Sequence, residues 1–419
     1  MEAPAAVRYA IGGVEPRSVV MPEAIGEVPD ILAVADRERL GVVPWGGGTQ
    51  QGFGNPPSRY DIALDFTNLN KVVDYAPADM TVRVEAGITL SALQQVLRRQ
   101  GQYVAIDAPL PDRATIGGIL ATAGAGPLRL AYGDRRDQLI GVAVAHPDGL
   151  VTHAGGSVVK NVTGYDMGKL YVGSLGTLGV ILEATFRLKP LPAITRTMLG
   201  RCPSLAVALE VVAALRTSPL QPLALDVIGS EEAEPSGTPA PWVVAVEFGG
   251  GAAASERQVR DATVLFTAAG ATAQIMEDAT GFWASVRDYG RDDEPANLIV
   301  KASVLPAQLG AVFEAVATTC AAFEAPPPHI IARAGNGLLY AHWPTAAGGG
   351  PAWGKLVAAL RQQVVRLGGS LVVEDAPRAA RDGMDVFGAP RDSIAIMRSL
   401  KQQFDPRAVL NPGRFVGGL

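Results

Sequence analysis

Three glycine-rich segments in the first half of the chain restrict its possible folds more than any other feature. They occupy residues 44–50, 114–126 and 173–179. Glycine has no Cβ, so a ligand can approach the backbone closely, and consecutive amides can turn toward an anion. Three such segments in this order indicate one large phosphate-bearing cofactor that is held along its length.

The common nucleotide-binding fingerprints are missing from the sequence. It has no G-x-x-x-x-G-K followed by Ser or Thr, which excludes a P-loop site. The third segment has G-x-x-G-x-x-G spacing, and residues 180–188 alternate in a way that predicts a strand directly after it. A dinucleotide fingerprint requires a helix at that point. The glycines therefore belong to a different cofactor fold, or they are ordinary loop glycines in a chain that has 48 of them.

The order of the segments resembles the FAD-binding, PCMH-type half of the vanillyl-alcohol oxidase superfamily. The matching motifs are Pro-x-Gly-Gly-Gly-Thr at residues 44–49, the stretch at residues 117–124, and Gly-Ser-x-Gly-Thr-Leu-Gly-Val-Ile at residues 173–181. Residues 160–166 and 404–414 are similar to the D-2-hydroxyacid dehydrogenase branch. Within that branch, the chain most resembles the FAD-binding E subunits of bacterial glycolate oxidase.

The resemblance implies that the chain binds FAD, and it assigns residues to that role. The amides of the first segment would contact the pyrophosphate, and the second segment would line its other side and the flavin ring. Gly164, Asp166 and Ile181 would lie toward the ribose and adenine. The full expected set is Pro44, Trp45, Gly46, Gly47, Gly48, Thr49, Gln50, Pro109, Thr115, Gly117, Gly118, Ala121, Thr122, Gly124, Gly164, Asp166, Ile181 and Asn411. A side chain at Gly47 or Gly118 is expected to take the space that FAD needs.

The attachment of the flavin can be judged from the histidines and cysteines. Many members of the superfamily link the flavin covalently through a histidine in or near the first glycine segment. This chain has 4 histidines and 2 cysteines, and the first of them in the sequence is His146. We therefore expect FAD to be bound noncovalently.

The sequence departs from its metal-dependent relatives in the second half of the chain. Those D-2-hydroxyacid dehydrogenases have Gly-His-x-Gly-Asp-Gly-Asn-x-His and later a Glu-His pair, and the matching stretches here are residues 332–340 and Glu374-Asp375. Arg333, Tyr340 and Asp375 stand where those relatives have histidines. A guanidinium only donates hydrogen bonds and stays charged, so it cannot ligate a cation. We predict that this chain has no metal site.

Arg287 and Tyr340 are the candidate catalytic residues. Residues 282–287, with one more residue between Trp283 and Arg287, resemble a Trp-x-x-Arg motif in which the arginine faces the substrate carboxylate. The planar guanidinium matches a carboxylate with two hydrogen bonds. An ordinary surface ion pair is an equally good interpretation of Arg287. Tyr340 or His342 would serve as the base if the chain works alone. Further candidates for the same anionic pocket are Lys301 and Arg333.

The pattern of elements predicts an α+β protein with three segments. Residues 1–192 are expected to form the two-lobed PCMH-type FAD-binding domain, residues 193–376 a cap or substrate domain, and residues 377–419 a segment that returns to the FAD-binding domain. Residues 298–374 read strand, helix, strand, strand, helix, strand, which is the order of a ferredoxin-like split βαβ unit. This order predicts an antiparallel sheet in the cap domain, with helices packed on one face, and residues 204–277 are expected to share that sheet.

Composition limits the partners and the location. The net charge is −5 without a long basic run, which argues against nucleic acid. The two cysteines form no C-x-x-C motif, so we expect no iron–sulfur cluster on this chain. No apolar run has membrane-spanning length, and the N-terminus lacks signal-peptide features. We expect a cytoplasmic protein without direct membrane insertion, which partners would bring to the inner membrane if it associates there at all.

The resemblance implies a FAD-binding oxidoreductase subunit of a complex that oxidises a 2-hydroxyacid such as glycolate. Electrons from a small anionic substrate would pass through flavin to an iron–sulfur subunit, and a homologous flavoprotein subunit would belong to the same complex. The alternative is a self-sufficient FAD-dependent oxidase or dehydrogenase of another small alcohol or hydroxy acid. A third hypothesis is a degenerate flavin-fold subunit that only supports assembly.

Overall fold

The computed structural model describes residues 6–124, 126–157, 165–229, 242–291, 297–344, 352–377, 384–389 and 392–419. The strands are β1 (Ser18–Val20), β2 (Val42–Trp45), β3 (Ile62–Asp65), β4 (Val72–Ala76), β5 (Thr81–Glu85), β6 (Gln102–Tyr103), β7 (Leu139–Ala145), β8 (Val151–Gly155), β9 (Val180–Arg187), β10 (Lys189–Pro190), β11 (Ile194–Cys202), β12 (Pro222–Gly229), β13 (Trp242–Gly250), β14 (Thr272–Met276), β15 (Leu298–Ser303), β16 (His329–Arg333), β17 (Leu338–Trp343) and β18 (Ser370–Asp375). The α-helices are α1 (Glu27–Glu38), α2 (Leu90–Arg98), α3 (Ile116–Thr122), α4 (Arg129–Tyr132), α5 (Arg135–Gln138), α6 (Gly168–Tyr171), α7 (Leu205–Thr217), α8 (Ala252–Ala268), α9 (Thr280–Asp288), α10 (Leu309–Ala322), α11 (Trp353–Arg366) and α12 (Ile394–Phe404).

The chain divides into two compact units. The first contains residues 1–125, 134–191 and 385–419, and the second contains residues 126–133 and 192–384. No helix within the described ranges has both the length and the apolar character that crossing a membrane requires.

The first unit is built on two main sheets. One is parallel, with strand order β1-β3-β2, and the other has the order β4-β5-β9-β7-β8 with antiparallel pairs throughout. Val409 and Leu410 are fully buried in the core beside the parallel sheet, together with Leu64 of β3. Burial of these two side chains explains why the C-terminal segment packs in this unit.

Local sequence features explain the ends of two elements in the first unit. Thr89 caps α2 by accepting a hydrogen bond from the Ala92 amide at 3.2 Å, and Gly101 adopts a φ of 65° after the helix. Strand β9 follows the third glycine segment directly. This strand is the feature that separates the fold from a dinucleotide-binding βαβ unit.

The second unit contains two copies of the same six-element order. Residues 194–276 and residues 298–375 each run strand, helix, strand, strand, helix, strand, and in each copy the strands lie in the order fourth, first, third, second. The two copies join through an antiparallel pairing of β12 with β16, which produces one eight-stranded sheet. The ferredoxin-like arrangement was predicted for the second copy only, so the duplication is a finding of the structure.

Residues 126–133 were placed in the FAD-binding domain because of their position in the sequence, whereas the structure groups them with the second unit. Helix α4 packs against β12, and the Leu130 side chain lies over Gly335, where a Cβ would come within 2.6 Å of it. These contacts explain why residues 126–133 pack with the second unit.

Candidate functional site

The three glycine segments border one cleft in the first unit. The empty space within it, including the part that is open to solvent, is about 810 Å³. The described lining residues are Pro44, Trp45, Gly46, Gly47, Gly48, Thr49, Gln50, Gln51, Phe53, Phe66, Ala86, Thr115, Gly117, Gly118, Ala121, Thr122, Leu175, Gly176, Gly179, Val180, Ile181, Asn411 and Arg414. Most of the residues assigned to the cofactor from the sequence therefore lie around one space.

Four residues of the expected set are not placed at this cleft. Pro109 lies in the connection between β6 and α3, outside the cleft lining. Gly124 adjoins the lining residue Gln50, because a Cβ on Gly124 would lie 2.9 Å from its Nε2 atom. Asp166 is exposed and forms an ion pair with Lys169 at 3.2 Å. Gly164 lies outside the described residues.

Several lining residues were missed by the assignment from the sequence. The motif at residues 173–181 was recognised, but of its residues only Ile181 was assigned to the site, although the residues from Leu175 onward supply much of one wall. Phe66 and Ala86 belong to no sequence motif. They reach the cleft only because the strands that precede them pair with their neighbours. The residues missed are Gln51, Phe53, Phe66, Ala86, Leu175, Gly176, Gly179, Val180 and Arg414.

Two glycines of the cleft are required for different reasons. A Cβ on Gly47 would collide with the carbonyl oxygen of Arg113, so the close approach of two backbone segments excludes any side chain there. Gly118 lies inside helix α3, and a Cβ on it would meet only Thr115 Oγ1, at 3.3 Å. The fold therefore tolerates a small side chain at position 118, where alanine would favour the helix. The missing Cβ at this position leaves clearance for a ligand.

Asn411 presents an unused acceptor at the same cleft. Its Nδ2 group donates to the Leu175 carbonyl at 2.5 Å, and its Oδ1 atom is buried without a hydrogen-bond partner among the described residues. A buried acceptor without a partner is unfavourable, and a ligand that donates an N–H or O–H group would satisfy it. FAD carries such donors on both of its ring systems. The Gly118 clearance and the Asn411 acceptor therefore fit FAD.

The lining also bears on how the flavin is attached. Among the described lining residues there is no histidine and no cysteine. Residues 158–164, which lie outside the described ranges, also contain no histidine or cysteine in the sequence. Noncovalent attachment of FAD therefore stays our prediction.

A second group of functional candidates lies on the sheet of the second unit. We call it the charged cluster, and it has one member on each of five strands plus Arg291. Its members are Asp226 on β12, Lys301 on β15, Arg333 on β16, Tyr340 on β17, Glu374 on β18, and Arg291.

Ion pairs hold the charged cluster together. Lys301 Nζ lies 2.5 Å from Glu374 Oε1, and Arg291 Nη2 donates to the other oxygen of the same carboxylate. Arg333 Nη1 donates to Asp226, and its Nη2 donates to the Val286 carbonyl of α9 at 3.2 Å. Both carboxylates are thus engaged by protein cations rather than presented to a metal.

The acid–base properties of the cluster follow from its burial and its charges. Burial alone would raise the pKa of Glu374, but Lys301 and Arg291 outweigh it and lower that pKa from 4.5 to about 2. Burial raises the pKa of Tyr340, and the charge of Glu374 raises it further. Burial lowers the pKa of His342 to about 3, and Arg291 adds to this effect. Tyr340 therefore stays protonated, and His342 stays neutral, at neutral pH.

Arg287 lies at the end of α9 and already has a partner. Its Nε and Nη2 atoms donate to the two carboxylate oxygens of Asp288, at 2.8 and 2.7 Å. This is the two-bond geometry that a substrate carboxylate would use. A substrate carboxylate could bind the Nε–Nη2 edge of Arg287 only by displacing Asp288.

We expect the purified chain to contain no stoichiometric zinc or manganese, and chelators to leave its flavin redox behaviour unchanged. The described part of the chain has no group of three or more histidine, cysteine, aspartate or glutamate residues that could hold a metal. Lys301 and Arg291 would also have to leave Glu374 before it could ligate a cation. Elemental analysis is the direct measurement, and about one metal ion per chain, as a structural or catalytic site requires, would contradict the prediction.

Comparison with known proteins places the chain in a family. The family model for "FAD binding domain" matches residues 16–155, and the model for "FAD linked oxidases, C-terminal domain" matches residues 191–415. The chain is 25% identical over 417 residues to glycolate oxidase subunit GlcD of Bacillus subtilis, covering 95% of this chain and 88% of that protein. It is 28% identical over 430 residues to a D-2-hydroxyglutarate dehydrogenase of Xanthomonas citri pv. viticola, covering 95% and 89%.

Solved structures show the same fold. An alkyldihydroxyacetonephosphate synthase structure superposes with a TM-score of 0.71 at 21% identity, covering 95% of this chain and 76% of that one. The α+β, PCMH-type fold expected from the resemblance is confirmed. The chain belongs to the FAD-linked oxidases, a family of FAD-dependent oxidoreductases.

Proposed function

We propose that this chain is the FAD-binding subunit of a complex that oxidises a small anionic 2-hydroxyacid, and that it relays electrons without deprotonating the substrate itself. The substrate class is supported by the similarity to a glycolate oxidase subunit and to a D-2-hydroxyglutarate dehydrogenase along nearly the whole chain. FAD, when bound, supplies the two-electron acceptor. The glycine-lined cleft would bind its phosphates, and Asn411 would accept a hydrogen bond from one of its N–H groups.

We propose that the chain relays electrons without deprotonating the substrate because of the protonation states of Tyr340 and His342. Oxidation of an alcohol carbon needs a group that takes the hydroxyl proton, with a pKa near the working pH. The pKa of Tyr340 is raised, and that of His342 is lowered to about 3, so both shifts are in the wrong direction for a base at neutral pH. His342 Nδ1 also lies close to Gly290, where a Cβ would come within 2.4 Å of it.

The partner subunits of the proposed complex are inferred from the cysteine content of the chain and from its similarity to a glycolate oxidase subunit. Its two cysteines, Cys202 and Cys320, are buried, and they are too few for the four thiolates of an iron–sulfur cluster. Electrons would therefore leave through an iron–sulfur subunit, and a homologous flavoprotein subunit would oxidise the substrate. We place the complex in the cytoplasm, with any contact to the inner membrane made through partner subunits.

Anaerobic reduction of the flavin tests this proposal. The visible absorbance of the isolated chain is followed after addition of glycolate, D-lactate or D-2-hydroxyglutarate, and the same acids are added to the complex purified with its partner subunits. We expect the flavin of the isolated chain to stay oxidised while that of the complex is bleached. Bleaching of the isolated chain at the rate of the complex would instead support a self-sufficient FAD-dependent oxidase or dehydrogenase.

Arg287→Lys distinguishes the same two functions at the level of one residue. We expect the variant complex to turn over substrate within about twofold of the wild-type kcat/KM, because Asp288 already occupies the Nε–Nη2 edge of the guanidinium. The matched control is Arg257→Lys, which alters an exposed ion pair with Asp261 in the same unit. A fall of about tenfold or more for Arg287→Lys alone, at unchanged FAD content, would show that Arg287 binds the substrate carboxylate.

A further inference from the structure

The C-terminal segment of residues 401–414 contacts the first glycine segment on both sides. The Val42 amide donates to the Val409 carbonyl at 2.8 Å, and the Asn411 amide donates to the Val42 carbonyl at 2.9 Å. Val42 begins β2, which leads into the first glycine segment. On the other side of that segment, Arg414 Nη2 donates to the carbonyls of Gln51 and Phe53 at 2.8 and 2.7 Å.

The same C-terminal segment also holds the third glycine segment. Leu175 has a φ of 52°, a left-handed conformation that L-residues with a side chain rarely adopt. Its carbonyl accepts the hydrogen bond from Asn411 Nδ2, and two residues later the Thr177 carbonyl accepts one from Lys401 Nζ at 2.8 Å. Because Leu175 and Gly176 line the cleft, these bonds fix the wall that FAD meets.

A buried ion pair joins these contacts. Lys401 is 7% exposed, and its three N–H groups donate to Thr177 O, to Leu410 O at 2.9 Å and to Asp405 Oδ2 at 2.6 Å. Asp405 is 2% exposed and also accepts the amides of Val409 and Leu410, each at 2.8 Å. The Lys401 ammonium group therefore links the third glycine segment to residues 409–411, which pair with Val42.

We propose that Lys401, through its ion pair with Asp405, is a positioning residue for the FAD cleft. The pair sets the spacing between the first and the third glycine segments, so the affinity for FAD depends on two side chains that are not among the described lining residues. The proposal rests on FAD binding in this cleft and not on the substrate.

The double variant Lys401→Met/Asp405→Asn tests the proposal, because it removes both charges and leaves no buried charge alone. Apoprotein is titrated with FAD, and the quenching of flavin fluorescence gives Kd. We expect a Kd about tenfold or more above the wild-type value, as for other residues that support a binding site from behind. The control is Arg407→Met, which lies in the same segment and removes an exposed ion pair with Asp36. Its Kd should stay within about twofold of wild type.

A double variant that keeps the wild-type Kd while its thermal midpoint falls would overturn the proposal, since the pair would then be structural only. Hydrogen exchange of the wild-type protein keeps the proposal testable if the double variant does not fold. In the wild-type protein, the amides of residues 173–179 and those of residues 401–414 should have similar protection factors against exchange. FAD should raise the protection factors of both segments together. Independent exchange of residues 173–179 would equally overturn the proposal.

Discussion

Replacing Gly118 with valine is expected to abolish FAD binding while the protein stays folded. In the structure a Cβ at this position meets only Thr115 Oγ1, at 3.3 Å, and the rest of the added side chain enters the cleft. The substitution also removes the entropic cost of a glycine inside α3, which is about 1 kcal/mol relative to alanine. Stability and cofactor affinity should therefore change independently.

Gly118→Ala tests the same clearance with a smaller side chain than valine. Gly118→Ala should keep or slightly raise the thermal midpoint of the apoprotein and weaken FAD binding by about tenfold to a hundredfold, the usual cost of one extra methyl group in a packed contact. Gly281→Ala is the matched control, because Gly281 is also helical and has nothing within 4 Å of its Cβ position. Its FAD affinity should equal that of the wild type.

Gly47 should behave differently from Gly118, although the sequence suggests the same role for both. A side chain at Gly47 collides with the Arg113 backbone, so Gly47→Val should lower the thermal midpoint of the apoprotein as well as FAD binding. The readouts are the thermal midpoint and FAD Kd of each variant. A folded Gly118→Val protein that retains full FAD occupancy would show that the cofactor does not lie against α3.

Glu374→Gln is expected to destabilise the second unit by about 3 kcal/mol at pH 7. The pKa of Glu374 is lowered from 4.5 to about 2, and each unit of pKa shift corresponds to about 1.4 kcal/mol. The amide leaves Lys301 and Arg291 without their buried counter-charge, which is the usual reason why breaking such a pair costs several kcal/mol. Lys301→Met/Glu374→Gln should recover part of the loss, because it removes one of the two stranded cations.

The pH dependence gives this prediction a definite sign. Because the pKa of Glu374 is lower in the folded than in the unfolded chain, its stabilisation is complete above pH 4.5 and is lost as the pH falls toward 2. The difference in the free energy of unfolding between wild type and Glu374→Gln should therefore be constant near neutral pH and shrink in acid. Chemical denaturation at a series of pH values measures it. A difference that stays constant down to the acid unfolding of the wild type would contradict the ion-pair assignment.

The sequence predicted the cofactor cleft better than the second unit, and the reason is physical. Residues 44–50 and 173–181 form continuous motifs, because backbone amides that bind a phosphate must follow one another along the chain. Phe66 and Ala86 line the same cleft without any motif, since strand pairing alone brings them there. The duplicated module at residues 194–276 was missed because its last strand, β14, is short and largely exposed and so lacks a clear alternating pattern.

Only some members of the charged cluster were recognised as functional candidates from the sequence. Arg333 and Tyr340 were recognised because they replace histidines, but what they contact could not be inferred. Glu374 meets Arg291 across 83 positions, and Arg333 meets Asp226 across 107. Contacts of this range depend on which strands become neighbours, and β12 lies beside β16 only because the two modules join there.

Acid precipitation of the purified chain tests most directly the central claim that the glycine-lined cleft holds FAD without a covalent bond. The cleft has the clearance at Gly118, the open acceptor at Asn411 Oδ1, and no histidine or cysteine among its described lining residues. We predict a yellow protein whose supernatant after precipitation contains FAD equimolar with the chain, above a colourless pellet. Flavin that remains with the pellet, or a colourless protein that added FAD does not reconstitute, would contradict this claim.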